Sequence, residues 1–332
     1  MSDPPAETLI LTPHTSYSSS AVRRLCRLRP KQAYYLQRHF SRHVQSSTII
    51  DRMPVGAWDS HMHVTSPDYL LAKSAAYKPS LHSLDHAMTF EKAIGVDNIV
   101  LVQPSIYGND NSCLLDALKE IGPTHGRGVV AFDPDDIASD TLQKWHTLGV
   151  RGVRLNFKST NKPFDPDDVK RTLRKYAAIV KPLDWVVELF IDLEQLRFIT
   201  DIIPELGVKF CIAHLGAPDM KRWNSYPSDA SNVPGMQHLT TLLAQADNLW
   251  VKISAHYRFD LEIDKLAGTE AIAKLLLDIA KDKMVFASDW PHTRFESLDV
   301  KPFVSKCLDW TEEFDAKDLV FRDNARRLWD CI

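Results

Sequence analysis

The stretch that decides the fold is GAWDSHMHV, Gly56 to Val64, which places two histidines one residue apart at the end of a short predicted strand. Successive side chains of a strand point to opposite faces, so residues two apart share a face. His61 and His63 are therefore expected to aim at one point. What they form there depends on which other side chains the fold brings to the same place.

The composition is that of an ordinary globular protein. The 332 residues are 44% apolar and 25% charged, and the formal net charge of -3 gives no argument for a nucleic-acid partner. No apolar run approaches the roughly 18 residues of a membrane span, so we expect a soluble protein with a small-molecule substrate. The sequence leaves the oligomeric state open. Scattered cysteines without a CxxC motif indicate reduced thiols of an intracellular protein: Cys26, Cys113, Cys211, Cys307 and Cys331.

Residues 1–52 form a leader of different composition. No acidic residue lies between Glu7 and Asp51, and the interval is rich in Arg and Ser. This composition is typical of a transit peptide and favours the mitochondrial matrix over the cytoplasm. The alternative is a basic arm that packs on the rest of the protein. Residues 53–332 are predicted to form one domain.

Eight β-type runs alternate with helical segments after the leader. Strands that are apolar on both faces and are each followed by a helix indicate a parallel sheet covered by helices. Eight such units in about 280 residues predict a (β/α)8 TIM barrel. A doubly wound sheet is the competitor, but no GxGxxG loop follows the first strand. The predicted strands are Ala57–Val64, Asn98–Gln103, Gly128–Phe132, Val150–Phe157, Trp185–Ile191, Val208–His214, Leu249–Ser254 and Met284–Ser288, and the segments with helical periodicity include Asp116–Gly122, Thr141–Leu148, Pro166–Val180, Leu193–Leu206 and Thr269–Lys281.

Polar and ionisable residues recur at the predicted strand ends, where a barrel builds its active site. His61 and His63 end the first strand, His214 the sixth and Asp289 the eighth. Each has an ordinary structural alternative, such as a helix N-cap for Asp289. Together, three imidazoles and a carboxylate form a ligand set for a divalent ion such as Zn²⁺. They equally suit a metal-free acid–base site that activates water.

The motifs DSHMHV, AHLGAPD and SDWPHT, in this order on a predicted barrel, resemble the amidohydrolase superfamily. VLVQPSIYGNDNSCLLDAL, VRGVRLNF and the closing DNARRLW are similar to the 2-pyrone-4,6-dicarboxylate lactonase branch of that superfamily. The resemblance extends from about Gly56 to the C-terminus. It implies a metal-dependent-hydrolase-like TIM barrel that opens a lactone, with no metal required.

The resemblance also implies roles for individual residues. Asp289 would be the general base, and His61, His63 and His214 would surround the scissile carbonyl. If one divalent ion is bound, with Zn²⁺ the expected metal, the same four residues would be its ligands. Arg154 and Arg258 would bind the carboxylate or lactone oxygens, and the planar fork of Arg suits that task. The other predicted substrate contacts are Tyr77, Ser105 and His292, together with Asn156, which shares a strand face with Arg154.

Two departures from the lactonase branch bear on the substrate. Ala217 stands where the branch has an Arg after the strand-six motif, and KSTNKP, residues 158–163, replaces a second Arg-bearing segment. A Lys such as Lys158 or Lys162 lacks the bidentate fork of Arg. We therefore expect a lactone with a single carboxylate, or a neutral lactone, in place of a dicarboxylate.

Two other functions fit parts of the pattern. One is a metal-dependent decarboxylase of an aromatic or muconate-type acid on the same barrel. WVVELFID, on the fifth strand, has no His or Lys where decarboxylating relatives place a ligand, although Glu188 offers a carboxylate. The other is a binding protein without turnover, which is disfavoured because every position of the His and Asp set is filled.

Overall fold

Eight parallel strands form one sheet in the computed structural model, which describes residues 48–158, 164–295 and 297–331. Each strand pairs with its neighbour in chain order, from β1 to β8. This order of parallel pairs confirms the predicted (β/α)8 barrel. The strands are β1 (Trp58–Met62), β2 (Asn98–Val102), β3 (Gly126–Val130), β4 (Val150–Asn156), β5 (Val186–Phe190), β6 (Lys209–Ile212), β7 (Leu249–Ile253) and β8 (Met284–Phe286).

The helices lie between the strands in chain order, and one predicted helix is wrong. Leu193–Leu206 is a 3₁₀ helix only over Leu193–Phe198 and continues as turns. Its β-branched run and Pro204 explain the difference, because both disfavour a continuous α-helix. The α-helices are α1 (Ile49–Arg52), α2 (Leu84–Ile94), α3 (Ser112–Ile121), α4 (Ser139–Leu148), α5 (Pro166–Val180), α6 (Met236–Gln245), α7 (Ala267–Ala280), α8 (Lys301–Glu313) and α9 (Asn324–Trp329).

Several predicted strands are longer than the observed ones. The sixth ends at Ile212, so His214 lies in a short 3₁₀ turn after β6 and does not close the strand. Asp289 follows β8 in the same way, and the next α-helix begins only at Lys301. Asp289 is therefore not a helix N-cap. Both residues belong to βα loops at the C-terminal ends of their strands.

The seam between β1 and β8 closes the barrel, and it passes through the HxH motif. The backbone N–H of Asp289 donates to the carbonyl of His61 at 2.9 Å, and that of His63 donates to the carbonyl of Trp290 at 2.8 Å. Below them, Asp59 Oδ1 accepts the N–H groups of His61 and Ser288, each at 3.0 Å. The seam therefore holds β1 and the Asp289 loop in one register.

The C-terminal helix α9 packs against the inner side chains of the barrel. Trp329 is fully buried and donates its indole N–H to Ser60 Oγ at 3.2 Å. The Lys252 ammonium lies 5.1 Å from the centre of its ring. A separate apolar cluster joins these residues to the strands: Trp58, Val100, Val102, Val129, Val186, Cys211, Val285, Ala325, Leu328 and Trp329.

Of the predicted leader, residues 1–47 lie outside the described residues and only residues 48–52 are described. The targeting role of the leader stays a prediction. Thr48 caps α1, and Arg52 pairs with Asp309 at 2.7 Å and Glu312 at 3.0 Å on α8. The fold thus includes the last residues of the predicted leader. In the described part of the chain no helix is long and apolar enough to cross a membrane. The four cysteines described there are free thiols, and Cys26 falls outside it.

Candidate active site

Four predicted residues meet at the C-terminal end of the barrel. The Nε2 atoms of His61 and His63 lie 3.3 Å apart. Asp289 Oδ1 faces the Nε2 atoms of His61, His63 and His214 at 3.5, 3.7 and 3.8 Å. All four side chains are buried. Residues from three separate motifs therefore form one cluster.

The far ring nitrogen of each imidazole has a defined partner. His63 Nδ1 lies 2.7 Å from the carbonyl of Val102, which can only accept, so this nitrogen carries the proton and Nε2 has a free lone pair. His214 Nδ1 lies 2.7 Å from Ser254 Oγ. The ring of His61 is held from below by side chains of two strands. These contacts orient all three rings.

The carboxylate of Asp289 is held at one oxygen and open at the other. Its Oδ2 accepts a hydrogen bond from Arg258 Nε at 2.9 Å and one from the Tyr257 hydroxyl at 2.6 Å. Oδ1 points toward the three imidazoles and accepts no comparable hydrogen bond from the described residues. Arg258, predicted as a substrate contact, thus also positions the carboxylate. Oδ1 is the atom placed to accept a proton from a water molecule.

Burial and local charge set the protonation of this cluster. Burial lowers the pKa of His63 to about 4 and that of His214 to about 3, and it holds the pKa of His61 well below the usual range. Burial alone would raise the pKa of Asp289, but Arg258 and the imidazoles hold it well below its usual range. At neutral pH the cluster is a carboxylate surrounded by three neutral imidazoles.

The loops that carry these residues contain an unusual number of left-handed backbone conformations. His214 has a φ of 56° and Asp289 a φ of 61°, and Ala217, Ala255 and His292 also have positive values. A non-glycine residue in this region costs of order 1–3 kcal/mol, and such residues persist where the surrounding structure over-determines them. Their concentration after β6, β7 and β8 supports a functional role for this end of the barrel.

The cluster opens into a cavity of about 60 Å³ that is also lined by most of the predicted substrate contacts. Arg154 Nη1 donates to the carbonyl of Gln103 at 2.7 Å, whereas its buried Nε has no hydrogen-bond partner among the described residues. His292 does not line this cavity, because its ring packs between Phe90 and Tyr257. The predicted contacts that do line it are Tyr77, Ser105, Arg154, Asn156 and Arg258.

A larger cleft of about 620 Å³ adjoins this cavity and shares Phe190, His214 and Arg258 with it. The two positions that depart from the lactonase branch meet here. Lys158 Nζ lies 3.5 Å from the carbonyl of Ala217 and forms an ion pair with Asp192. Lys158 is therefore paired within the protein, and both side chains of the pair remain partly exposed. Lys162, the other Lys of this segment, lies outside the described residues.

Comparison with known proteins identifies the family of this chain. The amidohydrolase family model matches residues 58–331. The chain belongs to the amidohydrolase family. It is 25% identical to the 4-sulfomuconolactone hydrolase of Hydrogenophaga intermedia, over 83% of this chain and 89% of that one. It is 27% identical to the 2-pyrone-4,6-dicarboxylate hydrolase of Comamonas testosteroni, over 84% of this chain and 91% of that one. A crystal structure from Pseudomonas putida, provisionally assigned as a 2-pyrone-4,6-dicarboxylic acid hydrolase, superposes on this chain with a TM-score of 0.68. The two chains are 30% identical, and the match covers 84% of this chain and 99% of that one.

Three residues of this amidohydrolase site could hold a metal ion. One donor atom from each of His61, His214 and Asp289 lies within 4.8 Å of the others, and all three residues are buried. Two imidazole nitrogens and a carboxylate oxygen fit the preferences of Zn²⁺. His63, predicted as a fourth ligand, lies outside this group of three. The donor set therefore fits a single divalent ion, with His63 beside it.

A buried ion pair beneath His61 is the feature that the strand-end pattern missed. Glu188 of β5 and Lys252 of β7 are fully buried and form an ion pair with each other. Lys252 Nζ lies 3.1 Å from His61 Nδ1, and Glu188 Oε1 lies 3.3 Å from the same atom. A signal was present, because a charged residue in a fully apolar strand requires a partner. Tyr257 was missed as well, and no pattern in the sequence distinguishes it.

A second buried pair of acidic residues lies behind β1. Asp59 and Glu91 are both fully buried, and within the described part of the chain neither Asp59 Oδ2 nor either Glu91 oxygen has a hydrogen-bond partner with both groups ionised. Burial raises the pKa of Asp59, and burial together with the Asp59 carboxylate raises that of Glu91 well above its usual range. A protonated Glu91 donates to Asp59 and satisfies its second oxygen. This pair supports the seam that carries the HxH motif.

Proposed function

We propose that this amidohydrolase-family protein hydrolyses the lactone ring of a small metabolite that carries one carboxylate. The observation that carries the proposal is the cavity lined together by the carboxylate of Asp289, the neutral imidazoles of His63 and His214, and the guanidinium of Arg154. The named activities of the two curated relatives, both lactone hydrolases, support the reaction class.

In the proposed reaction Asp289 acts as the general base. A water molecule at Oδ1 gives a proton to the carboxylate while its oxygen forms a bond to the lactone carbonyl carbon. The negative charge that develops on the carbonyl oxygen is stabilised by donors fixed in the cavity, with Arg154 and an imidazole N–H as the candidates. When the ring C–O bond breaks, the leaving oxygen takes the proton from Asp289. The product is a ring-opened hydroxy acid or its keto tautomer.

A divalent ion such as Zn²⁺, when held by His61, His214 and Asp289, would supply Lewis-acid polarisation of a carbonyl oxygen. Arg154, which lines the cavity, would bind the substrate carboxylate with its guanidinium group. Lys158, which is paired with Asp192, cannot supply the bidentate fork of the second Arg of the lactonase branch. This favours one carboxylate over two.

The experiment is a hydrolysis screen of purified protein with three lactone classes, each with and without chelator. The classes are muconolactone with one carboxylate, 2-pyrone-4,6-dicarboxylate with two, and a neutral sugar lactone. We expect the highest kcat/KM for the monocarboxylate, with ring opening and no release of CO₂. Absence of ring opening in all three classes would overturn the proposed reaction, and release of CO₂ would favour the decarboxylase alternative.

The substitution Arg154→Met tests the proposed carboxylate contact separately. A methionine keeps the length of the aliphatic stem and removes the donors. We expect KM for the monocarboxylate lactone to rise at least tenfold and KM for a neutral lactone to change little. Equal increases for both lactones would reject Arg154 as the carboxylate contact.

A further inference from the structure

The buried pair of Glu188 and Lys252 lies directly under His61, on the side away from the cavity. His61 Nδ1 faces a donor and an acceptor at nearly equal distances, Lys252 Nζ at 3.1 Å and Glu188 Oε1 at 3.3 Å. A neutral imidazole carries its proton on one nitrogen only. The two contacts therefore favour opposite tautomers of the same ring.

The contacts on the cavity side decide between the two tautomers. His63 Nε2 is 3.3 Å from His61 Nε2 and is an acceptor, because the Val102 carbonyl fixes the proton of His63 on Nδ1. Asp289 Oδ1, at 3.5 Å from the same His61 Nε2, is an acceptor as well. The hydrogen bond to His63 requires a proton on His61 Nε2, and the negative charge of Asp289 favours a proton there. The ammonium of Lys252 has no lone pair and requires an unprotonated Nδ1.

We propose that Lys252 holds His61 in the tautomer with the proton on Nε2, so that in the metal-free protein His61 is a hydrogen-bond donor toward His63 and resists acting as a metal ligand. A metal at Nε2 needs the lone pair that this proton occupies. Binding then requires the proton to move to Nδ1, where Glu188 Oε1 accepts it and Lys252 loses its contact. Glu188 thus supports the metal-bound arrangement, and Lys252 opposes it.

This role makes Lys252 a positioning residue. It does not reach the cavity, and it acts only through the ring of His61. The substitution Lys252→Met removes the donor and the positive charge beneath the site while keeping the length of the side chain. Partners of metal-ligating histidines typically change metal affinity about 10–100-fold. We therefore expect Lys252→Met to tighten Zn²⁺ binding at least tenfold.

The experiment is a chelator-competition titration of Zn²⁺ on the metal-free full chain, for the wild type and the variants. Because Lys252→Met leaves Glu188 without its ion-pair partner, the double variant K252M/E188Q is measured beside it, which retains an amide oxygen as acceptor for Nδ1–H. Lys283→Met is the matched control, since the polar contacts of Lys283 with the described residues are at the C-terminal end of α6 and at Asp247, away from the site. Its affinity for Zn²⁺ should equal that of the wild type.

A spectroscopic measurement tests the tautomer itself. In ¹⁵N-histidine-labelled wild type without metal, His61 should give a protonated Nε2 and an unprotonated Nδ1, with assignment by the loss of signals in His61→Gln. A proton on Nδ1 would overturn the proposal. So would a change in Zn²⁺ affinity of less than tenfold, or a decrease, in whichever of the two Lys252 variants folds. Neither measurement uses a substrate, so failure here is distinguishable from failure of the proposed lactone hydrolysis.

Discussion

The substitution Asp289→Asn is the most direct test of the proposed base. Arg258 Nε and the Tyr257 hydroxyl both donate to Oδ2, so they select the amide oxygen of the variant and turn its NH₂ group toward the imidazoles. The position of Oδ1 would then be occupied by a donor. A water molecule there could no longer transfer its proton to residue 289.

The expected loss follows from that geometry. A positioned general base contributes about 10²–10⁴-fold to the rate, which corresponds to about 2.7–5.5 kcal/mol at about 1.36 kcal/mol for each tenfold step. We therefore expect kcat to fall at least a hundredfold. KM should change little, because Arg154, the proposed carboxylate contact, is untouched. Steady-state kinetics on a lactone that the wild type hydrolyses give both values, with the enzyme concentration taken as that of the folded protein.

The matched control is Asp260→Asn, which makes the same change at another buried carboxylate beyond β7. Asp260 accepts hydrogen bonds from the Tyr226 hydroxyl and from the Thr269 N–H and hydroxyl, all at 2.7 Å, and it does not line the cavity. It should destabilise the fold to a similar extent. Per folded molecule it should leave kcat within about twofold, because Asp260 does not line the cavity. The base role is refuted if folded Asp289→Asn retains more than a tenth of wild-type kcat, or if Asp260→Asn loses as much.

Three further predictions concern the surroundings of the base. Tyr257→Phe removes a hydrogen bond to the Asp289 carboxylate, a contact of about 1.5–3 kcal/mol, so kcat should fall about tenfold or more, and an unchanged kcat contradicts the role. The pKa of His63 is about 4, and that of Asp289 is lower than usual. We therefore expect kcat/KM to be flat between about pH 5 and 8 and to fall as the pH drops through about 4. An inflection near pH 6.5, the ordinary His value, would contradict this. Burial raises the folded-state pKa of Glu91, so its stabilising contribution is complete below the unfolded pKa and is lost as pH rises through the folded pKa. Glu91→Gln, which still donates to Asp59, should therefore gain thermal stability over the wild type as pH rises, and a Tm difference that does not depend on pH would reject the shared proton.

The sequence predicted the parts of this site that depend on local periodicity. Two residues apart on a strand means one shared face, so the meeting of His61 and His63 followed from their spacing. The position of Asp289 followed from the barrel rule that strand ends converge. The pairing of Glu188 with Lys252 could not be read in this way, because 64 positions separate them and only the closed barrel brings them together. The loop conformations at His214 and Asp289 were also beyond reach, because they arise where tertiary contacts override local preference.

The distribution of charge in the site relates the Asp289–Arg258 pair to the Glu188–Lys252 pair beneath His61. Each buried carboxylate around the imidazoles has its own cation, Asp289 with Arg258 and Glu188 with Lys252. The imidazoles are neutral near pH 7 because burial lowers their pKa values. Arg154 has no ion pair in the described part of the chain, and burial lowers its pKa, although Glu188 and Asp289 act against that effect. A buried cation without a counter-ion is costly. One substrate carboxylate would supply the missing charge, and this is the physical reason to expect a carboxylate on the lactone.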